Sequence, residues 1–351
     1  MLAILSFVII LVLAIFVHEL GHFLAAKAMG IKVLEFGFGY PPRLVAVKRG
    51  ETEYSLNLLP LGGFVRMAGE EDPRERGGLA ARRIAPRLLV LSAGSIMNML
   101  LPVVLFSLAF IIPNEVVVGQ VVIEQVVPDS PAQSAGIEPG DTILMVNDRP
   151  VQNNGDVVYS TELNLGSEMR VLLQKPDGSQ RVARVTPRWN PPQGQGPLGI
   201  VMRLDGAQTV TEAYPVWEAV PLGLRRSADM FTLIKNGLVS MVRSGASPVV
   251  TGPVGIAQIT TEVAQGGLHP LMSWAAFLSL NLGILNLLPF PALDGGRLFF
   301  VLLEGVRRGK RISPEKEKLV HLIGFVLLIT LIVVISYFDV LRIIRGESLF
   351  Q

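Results

Sequence analysis

The chain has 351 residues, of which 50% are hydrophobic and only 17% are charged, and its mean hydropathy is +0.48. This balance is typical of a membrane protein and excludes an ordinary soluble protein of this length. The formal net charge of +2 predicts no nucleic-acid partner, and the lack of cysteine excludes disulfides, thiolate metal ligands and thiol nucleophiles.

The first element is an apolar run without charge over residues 1–17, which resumes after His22. Its length predicts a first transmembrane helix over residues 1–26. No basic residue precedes the run and no small-residue cleavage pattern lies within it, so we expect it to be retained and not removed as a signal peptide.

The end of this span contains the sequence His18-Glu19-Leu20-Gly21-His22. Residues four apart share one face of a helix, so both imidazoles can ligate one zinc ion while Glu19 stands beside them as a general base. A glutamate at membrane depth costs about 2.5 to 3.5 kcal/mol, which favours a polar cavity with a function. The alternative is three polar residues lying at the membrane interface, close to Lys27.

Residues 27–87 follow as a basic segment with 11 Lys or Arg. Two β-prone stretches, residues 42–47 and 52–59, flank a Lys-Arg-Gly turn and predict a β-hairpin on the cytoplasmic side. Its glycines would let the backbone approach another chain. A second transmembrane helix is predicted over residues 88–112.

Residues 119–189 alternate Val and Ile runs with Gly, Pro, Asp and Asn turns, which predicts a compact, strand-rich domain. The run "SPAQSAGIEPGDTILMVND" closely resembles the centre of a PDZ domain. PDZ domains bind an extended peptide along a sheet edge. The alternative is a small β-domain that serves only as a lid or spacer.

Residues 190–267 are predicted to contain a linker and an amphipathic helix on the membrane surface, with a helix packed on the β-domain as the alternative. A third transmembrane segment is predicted over residues 268–296 and a fourth helix over residues 319–338. Pro289 and Pro291 break the third segment, which would let the carboxylate of Asp294 turn inward as a third metal ligand. An Asp before Gly-Gly is more often a turn or helix-cap residue.

The distribution of basic residues predicts the orientation of the spans. Residues 27–87 contain 11 Lys or Arg and residues 297–318 contain 7, whereas the 11 in residues 113–267 are spread over a much longer segment. By the positive-inside rule the two dense segments are cytoplasmic. The strand-rich domain and both termini are then extracytoplasmic, and the active site lies near the cytoplasmic face.

These features occur together in an order that resembles the bacterial site-2 proteases, the RseP-type zinc intramembrane metalloproteases with a single PDZ domain. The resemblance rests on HExxH in the first span, "LDG" in the third, the intervening PDZ-like run and the glycine-rich "FGFG…TEYSLNLLPLGGFVRM" hairpin. It implies a polytopic α-helical membrane protein with about four transmembrane helices, an inserted extracytoplasmic PDZ domain and a membrane-associated β-hairpin. It also implies that His18, His22 and Asp294 ligate Zn²⁺ and that Glu19 is the catalytic base.

Two further residues are implied by the same resemblance. Asn286, eight residues before Asp294, matches a family asparagine that holds the substrate backbone, and Asn98 in "AGSIMN" matches another active-site asparagine, here taken as substrate-binding. Without the resemblance, Asn286 would be interpreted as a helix-end cap and Asn98 as a helix-packing residue. Ser95 stands where the family commonly has proline, which leaves the local helix geometry open.

The implied function is zinc-dependent cleavage of transmembrane segments in a bacterial inner membrane. The expected substrates are single-span proteins, such as anti-sigma factors already trimmed outside the membrane, or remnant signal peptides. A non-proteolytic membrane PDZ scaffold is the first alternative, but it leaves the His, Glu and Asp residues unexplained. A membrane zincin of the CAAX-protease type is the second, but those proteases usually take the third ligand from a glutamate and lack an inserted PDZ domain.

Overall fold

A computed structural model describes residues 2–70, 72, 74–244 and 251–345. The chain divides into two units, residues 1–109 with 250–351 and residues 110–249. Its helices are α1 Leu2–Ala28, α2 Ile84–Ile111, α3 Pro131–Ser134, α4 Asn154–Leu163, α5 Val216–Ser244, α6 Pro253–Gln265, α7 Leu268–Leu287, α8 Asp294–Val306 and α9 Pro314–Ile344. Its strands are β1 Val33–Arg49, β2 Thr52–Met67, β3 Asn114–Val126, β4 Thr142–Val146, β5 Arg149–Pro150, β6 Met169–Gln174, β7 Gln180–Val185 and β8 Ile200–Glu212.

Four helices in the described residues are long and apolar enough to cross a membrane, which confirms the predicted number of spans. They are Leu5–Ala28, Ile84–Ile111, Leu268–Leu287 and Pro314–Ile344. At about 1.5 Å per residue, even the shortest reaches the roughly 30 Å thickness of a hydrocarbon core. The protein is therefore a multi-pass membrane protein that also contains β-sheets.

Glycines allow α2 to lie close to both α1 and α7. A Cβ atom on Gly21 of α1 would lie 2.5 Å from the carbonyl oxygen of Ala93, and one on Gly283 of α7 would lie 2.9 Å from that of Ser95. Small residues permit such close backbone approach between helices in membranes. Helix α2 thus packs against the face of α1 that carries His18 and His22.

The predicted β-hairpin lies between α1 and α2, but its pairing is more complex than a simple hairpin. Residues 33–38 of β1 pair with residues 63–67 on one side and with residues 53–56 on the other. The second half of β1, residues 43–49, pairs with the outer side of residues 52–57. Residues 63–67, called the edge segment below, therefore form one edge of this small sheet among the described residues.

A buried carboxylate links the segments of this sheet. Glu35 accepts hydrogen bonds from Arg43 at 2.6 Å and from Ser55 at 2.8 Å, and it forms an ion pair with Arg66 at 3.1 Å. Charge-assisted hydrogen bonds of this length are among the stronger ones in proteins. These bonds stabilise the arrangement in which residues 33–38 have a paired segment on each side.

The second unit contains a six-stranded sheet in the order β7-β6-β4-β3-β8, with β5 pairing with β4. The predicted domain boundary, 119–189, is therefore too short at both ends, because β3 begins at Asn114 and β8, Ile200–Glu212, pairs with β3 along most of its length. The predicted boundary leaves out β8 because Asp205 and Gly206 interrupt this edge strand after a short apolar alternation of Ile200, Met202 and Leu204.

Helix α5 packs on this sheet domain through polar contacts. Arg149 donates two hydrogen bonds to Asp229 at 2.6 and 2.7 Å, and the Tyr159 hydroxyl donates a third at 2.9 Å. Burial raises the pKa of Tyr159 to about 12, so its hydroxyl remains a donor at neutral pH. The remaining surface of α5 leaves a row of apolar residues exposed: Val216, Trp217, Val220, Leu224, Phe231, Leu238 and Val242.

Helix α6 is a further departure from the predicted linker over residues 190–267. It belongs to the first unit and contacts α1, α7 and α9. The backbone N–H groups of Gly252 and Gly255 each donate to the buried Asp339 carboxylate of α9 at 2.9 Å. This cap lies more than 80 residues away in sequence, so no local capping signal marks the start of α6.

Candidate metal centre

The structure brings three of the predicted site residues together. His18 and His22 lie one turn apart on α1, and Asp294 is the first residue of α8. Asp294 Oδ2 lies 2.9 Å from His18 Nε2 and 3.0 Å from His22 Nε2, and the two Nε2 atoms are 3.2 Å apart. Both histidines are buried. Three potential ligand atoms from elements about 270 residues apart therefore meet at one point.

The donor set and its spacing fit a zinc ion. Two ligands at about 2.0 to 2.1 Å from a tetrahedral ion lie roughly 3.3 Å apart, close to all three separations measured here. Two imidazoles and a carboxylate are borderline to hard ligands of the kind that zinc accepts. Three protein ligands leave one coordination position for water or substrate, as in catalytic zinc sites.

The orientation of the His22 ring suits metal binding. Its Nδ1 lies 2.8 Å from the carbonyl oxygen of Val90 on α2. A carbonyl can only accept, so Nδ1 carries the proton and the lone pair of Nε2 points towards Asp294 and His18. Such a partner for the second ring nitrogen is usual for metal-ligating histidines.

Gly94 on α2 provides the space for this centre. A Cβ atom at that position would lie 2.7 Å from His18 Nε2 and closer still to His22 Nε2. Any side chain would therefore occupy the volume in which the three ligand atoms meet. No pattern in the sequence marks Gly94 as functional, because its contact joins residues more than 70 positions apart.

Glu19 lies beside the centre and against the edge segment. Its side chain is partly buried, and a Cβ atom on Gly63 would lie 2.7 Å from Glu19 Cγ. The edge segment therefore runs directly past the carboxylate-bearing side chain of the HExxH motif. The predicted glycine-rich strand and the predicted base are adjacent in the structure.

The chain reverses sharply before Asp294, as Pro289 and Pro291 predict. Ala292 has a positive φ of 80°, and its N–H donates to His321 Nδ1 at 3.1 Å. A Cβ atom on Gly295 would overlap the Leu288 carbonyl oxygen, so the Gly-Gly pair is required for the fold of this loop. His321, on α9, therefore supports the loop that delivers Asp294.

The two asparagines occupy different environments. Asn286 is partly buried in the last turn of α7. Asn98 is 1% exposed, and its side-chain nitrogen lies 3.5 Å from His18 Nδ1, on the side of the ring that faces away from the ligand atom Nε2. Asn98 thus lies behind the His18 ring, so a direct contact with substrate remains a prediction. Ser95, also fully buried, has a hydroxyl without a hydrogen-bond partner among the described residues.

Comparisons with known proteins identify the family to which the chain belongs. The sequence model of peptidase family M50 matches residues 6–331. The zinc metalloprotease RasP of Geobacillus kaustophilus is 30% identical over an alignment 422 positions long, which covers 96% of this chain and 97% of that protein. The regulator of sigma-W protease RasP of Bacillus subtilis is 30% identical over an alignment 427 positions long, which covers 97% of this chain and 98% of that protein. These matches confirm the predicted resemblance: the chain belongs to peptidase family M50, the site-2 protease family of zinc metalloendopeptidases.

Proposed function

We propose that this protein hydrolyses peptide bonds within the transmembrane segments of other membrane proteins. The observation that carries the proposal is the meeting of His18, His22 and Asp294 within 4.8 Å of one another. Two of these residues lie in a helix that is apolar and long enough to span a membrane. A scaffold without hydrolytic activity would have no use for this arrangement.

The chain supplies a ligand set and a base for the reaction. Zinc, when bound by His18, His22 and Asp294, polarises the scissile carbonyl and makes water acidic enough to attack at neutral pH. The Glu19 carboxylate accepts the proton of the attacking water and returns it to the leaving amine. His18 and His22 act through their Nε2 atoms, and the Val90 carbonyl on α2 holds the His22 ring in place.

The edge segment supports an extended substrate beside this centre. A helical amide is shielded by its own hydrogen bonds, so the substrate must unwind before it is cleaved. Unpaired backbone groups on a sheet edge can accept an added strand, and Gly63 brings that edge to Glu19. We assign Asn286, at the end of α7, to the opposite side of the unwound segment, where its amide can hold the substrate backbone.

The proposed substrates are single-span membrane proteins already trimmed outside the membrane, such as anti-sigma factors, or remnant signal peptides. The name of the Bacillus subtilis relative, regulator of sigma-W protease, supports the first of these classes. The lipid bilayer delivers such substrates by lateral diffusion.

The strand-rich unit is proposed to act as a PDZ domain that receives an extended peptide end. A cavity of about 110 Å³ lies between α4 and the edge strand β8, lined by Val157, Thr161, Ile200 and Met202 together with the loop 196–199. This position would let a peptide add to β8 with its side chains against α4. A small lid or spacer domain would not need such a groove.

Exchange of Glu19 tests the proposal. Glu19→Gln keeps the size of the side chain but removes the base, so cleavage of a purified single-span reporter should fall about 100-fold or more. Zinc content, measured by metal analysis, should stay at the wild-type level.

Asp294→Ala should lower zinc content and activity together. The control is Glu51→Gln, which changes an exposed turn residue and should alter neither zinc content nor activity. Near wild-type cleavage by Glu19→Gln would remove Glu19 from the mechanism.

A further inference from the structure

Asn98 lies on α2 behind His18, opposite the atoms that meet Asp294. His18 directs Nε2 to the centre, 2.9 Å from Asp294 Oδ2. A metal bound at Nε2 leaves the proton on Nδ1, so Nδ1 is a hydrogen-bond donor. The partner of that donor decides how firmly the ring is held.

The Asn98 amide faces this nitrogen with its own NH₂ group at 3.5 Å, the outer limit of a hydrogen bond. Two donors then face each other, while Asn98 Oδ1 is buried and accepts nothing from the described residues. The nitrogen and oxygen of an amide are assigned only from their hydrogen-bond partners. Turning the amide by 180° removes the conflict and gives Oδ1 a donor.

The Nδ1 of His22 also faces an acceptor on α2, the Val90 carbonyl at 2.8 Å. The backbone of Asn98 is itself fixed, because its carbonyl accepts a hydrogen bond from Ser279 of α7 at 2.8 Å. Helix α2 can therefore hold both imidazoles from behind, one with a backbone oxygen and the other with a side-chain oxygen.

We propose that Asn98 is a positioning residue for zinc, whose side-chain oxygen accepts the Nδ1–H of His18 and fixes the tautomer and orientation of that ring. The proposal rests on the zinc site of the proposed function. It gives Asn98 a role through His18 in place of direct contact with substrate.

Zinc affinity of purified full-length protein, measured by competition with a graded chelator, tests this assignment. Asn98→Ala and the similarly sized Asn98→Leu should bind zinc about 10- to 100-fold more weakly. Asn98→Asp, which can only accept, should remain within about threefold of wild type, because carboxylates serve as outer partners of zinc-bound histidines. Ser107→Ala, which removes another buried hydroxyl of α2 whose hydrogen bond goes to the Val103 carbonyl, is the matched control and should bind as wild type does.

Three results have distinct meanings. If the wild-type protein binds no zinc, the zinc site of the proposed function fails. If the wild type binds zinc and Asn98→Leu binds equally well, the role of Asn98 fails alone. If Asn98→Asp is as weak as Asn98→Ala, the amide donates to His18 and the assigned orientation is overturned. Thermal melting of the metal-free variants identifies any variant that does not fold. If Asn98→Asp does not fold, the zinc affinity of Asn98→Leu alone decides whether Asn98 positions His18.

Discussion

At the scale of single residues, the centre depends as much on a missing side chain as on those present. His18, His22 and Asp294 bring together three atoms that could hold a metal ion, but Gly94 leaves the volume in which these atoms meet. The HExxH spacing predicts that His18 and His22 share one face of a helix. The family resemblance is what implies Asp294 as their partner, because an Asp before Gly-Gly is by itself more often a turn or helix-cap residue. Gly94 could not be predicted as part of the centre, since its contact with the histidines exists only after α2 packs on α1.

Replacing Gly94 by alanine should therefore strongly weaken zinc binding. The new methyl group would lie 2.7 Å from His18 Nε2, too close for both ligands to keep their positions. Zinc affinity should fall by about 100-fold or more, beyond the effect of losing an outer hydrogen-bond partner. Metal analysis after dialysis measures this loss.

The control for this exchange is Gly305→Ala on α8, where the added methyl meets only a side-chain carbon, Ile84 Cδ1, at 3.5 Å. That is an ordinary van der Waals distance, so zinc binding should stay unchanged. Full zinc occupancy in Gly94→Ala would show that the ligands do not meet where they are placed here.

At the scale of elements, the small sheet combines a predicted part with an unpredicted part. Two β-prone stretches around a Lys-Arg-Gly turn predict the pairing of residues 43–49 with residues 52–57. The pairing of residues 33–38 with both residues 53–56 and residues 63–67 could not be predicted. It depends on where the chain reverses direction again, between residues 57 and 63, and no turn signal sets that register. That second pairing carries the edge segment to Glu19.

Gly63→Ala should displace Glu19 and lower activity without changing metal binding. A methyl group at residue 63 would lie 2.7 Å from Glu19 Cγ and must push the carboxylate or the edge segment aside. A displacement of about 1 Å can cost about 100-fold in rate, so cleavage should fall by 10- to 100-fold. Zinc content should not change, unlike in Gly94→Ala.

The rate is measured with the single-span reporter, and Gly237→Ala on α5 is the control. Outside the backbone of its own helical turn, no atom of the described residues lies within 4 Å of the added Cβ. Wild-type turnover by Gly63→Ala would mean that the edge segment does not restrict Glu19. The proposed addition of substrate to this edge would then lose its support.

At the scale of the whole molecule, hydropathy predicts the four spans because each must be long and apolar enough to cross a bilayer. The limits of the strand-rich unit were harder to predict, since β8 pairs with β3 from beyond the predicted boundary. The orientation of these spans in the membrane is predicted from charge and not from hydropathy. The density of basic residues in 27–87 and 297–318 predicts that these segments are cytoplasmic.

The absence of cysteine makes this orientation directly measurable, because each introduced cysteine is the only thiol in the chain. Arg76→Cys places a thiol in the basic segment after the small sheet, and Asp177→Cys places one in the exposed turn between β6 and β7. A membrane-impermeant maleimide should label Asp177→Cys in spheroplasts, and it should label Arg76→Cys only after the membrane is opened. Unsubstituted protein, which should not react, is the control. Since residues 18–22 precede the basic segment directly, the reverse labelling pattern would place the metal centre near the outer face and refute the proposed delivery of externally trimmed substrates to a cytoplasmic-side site.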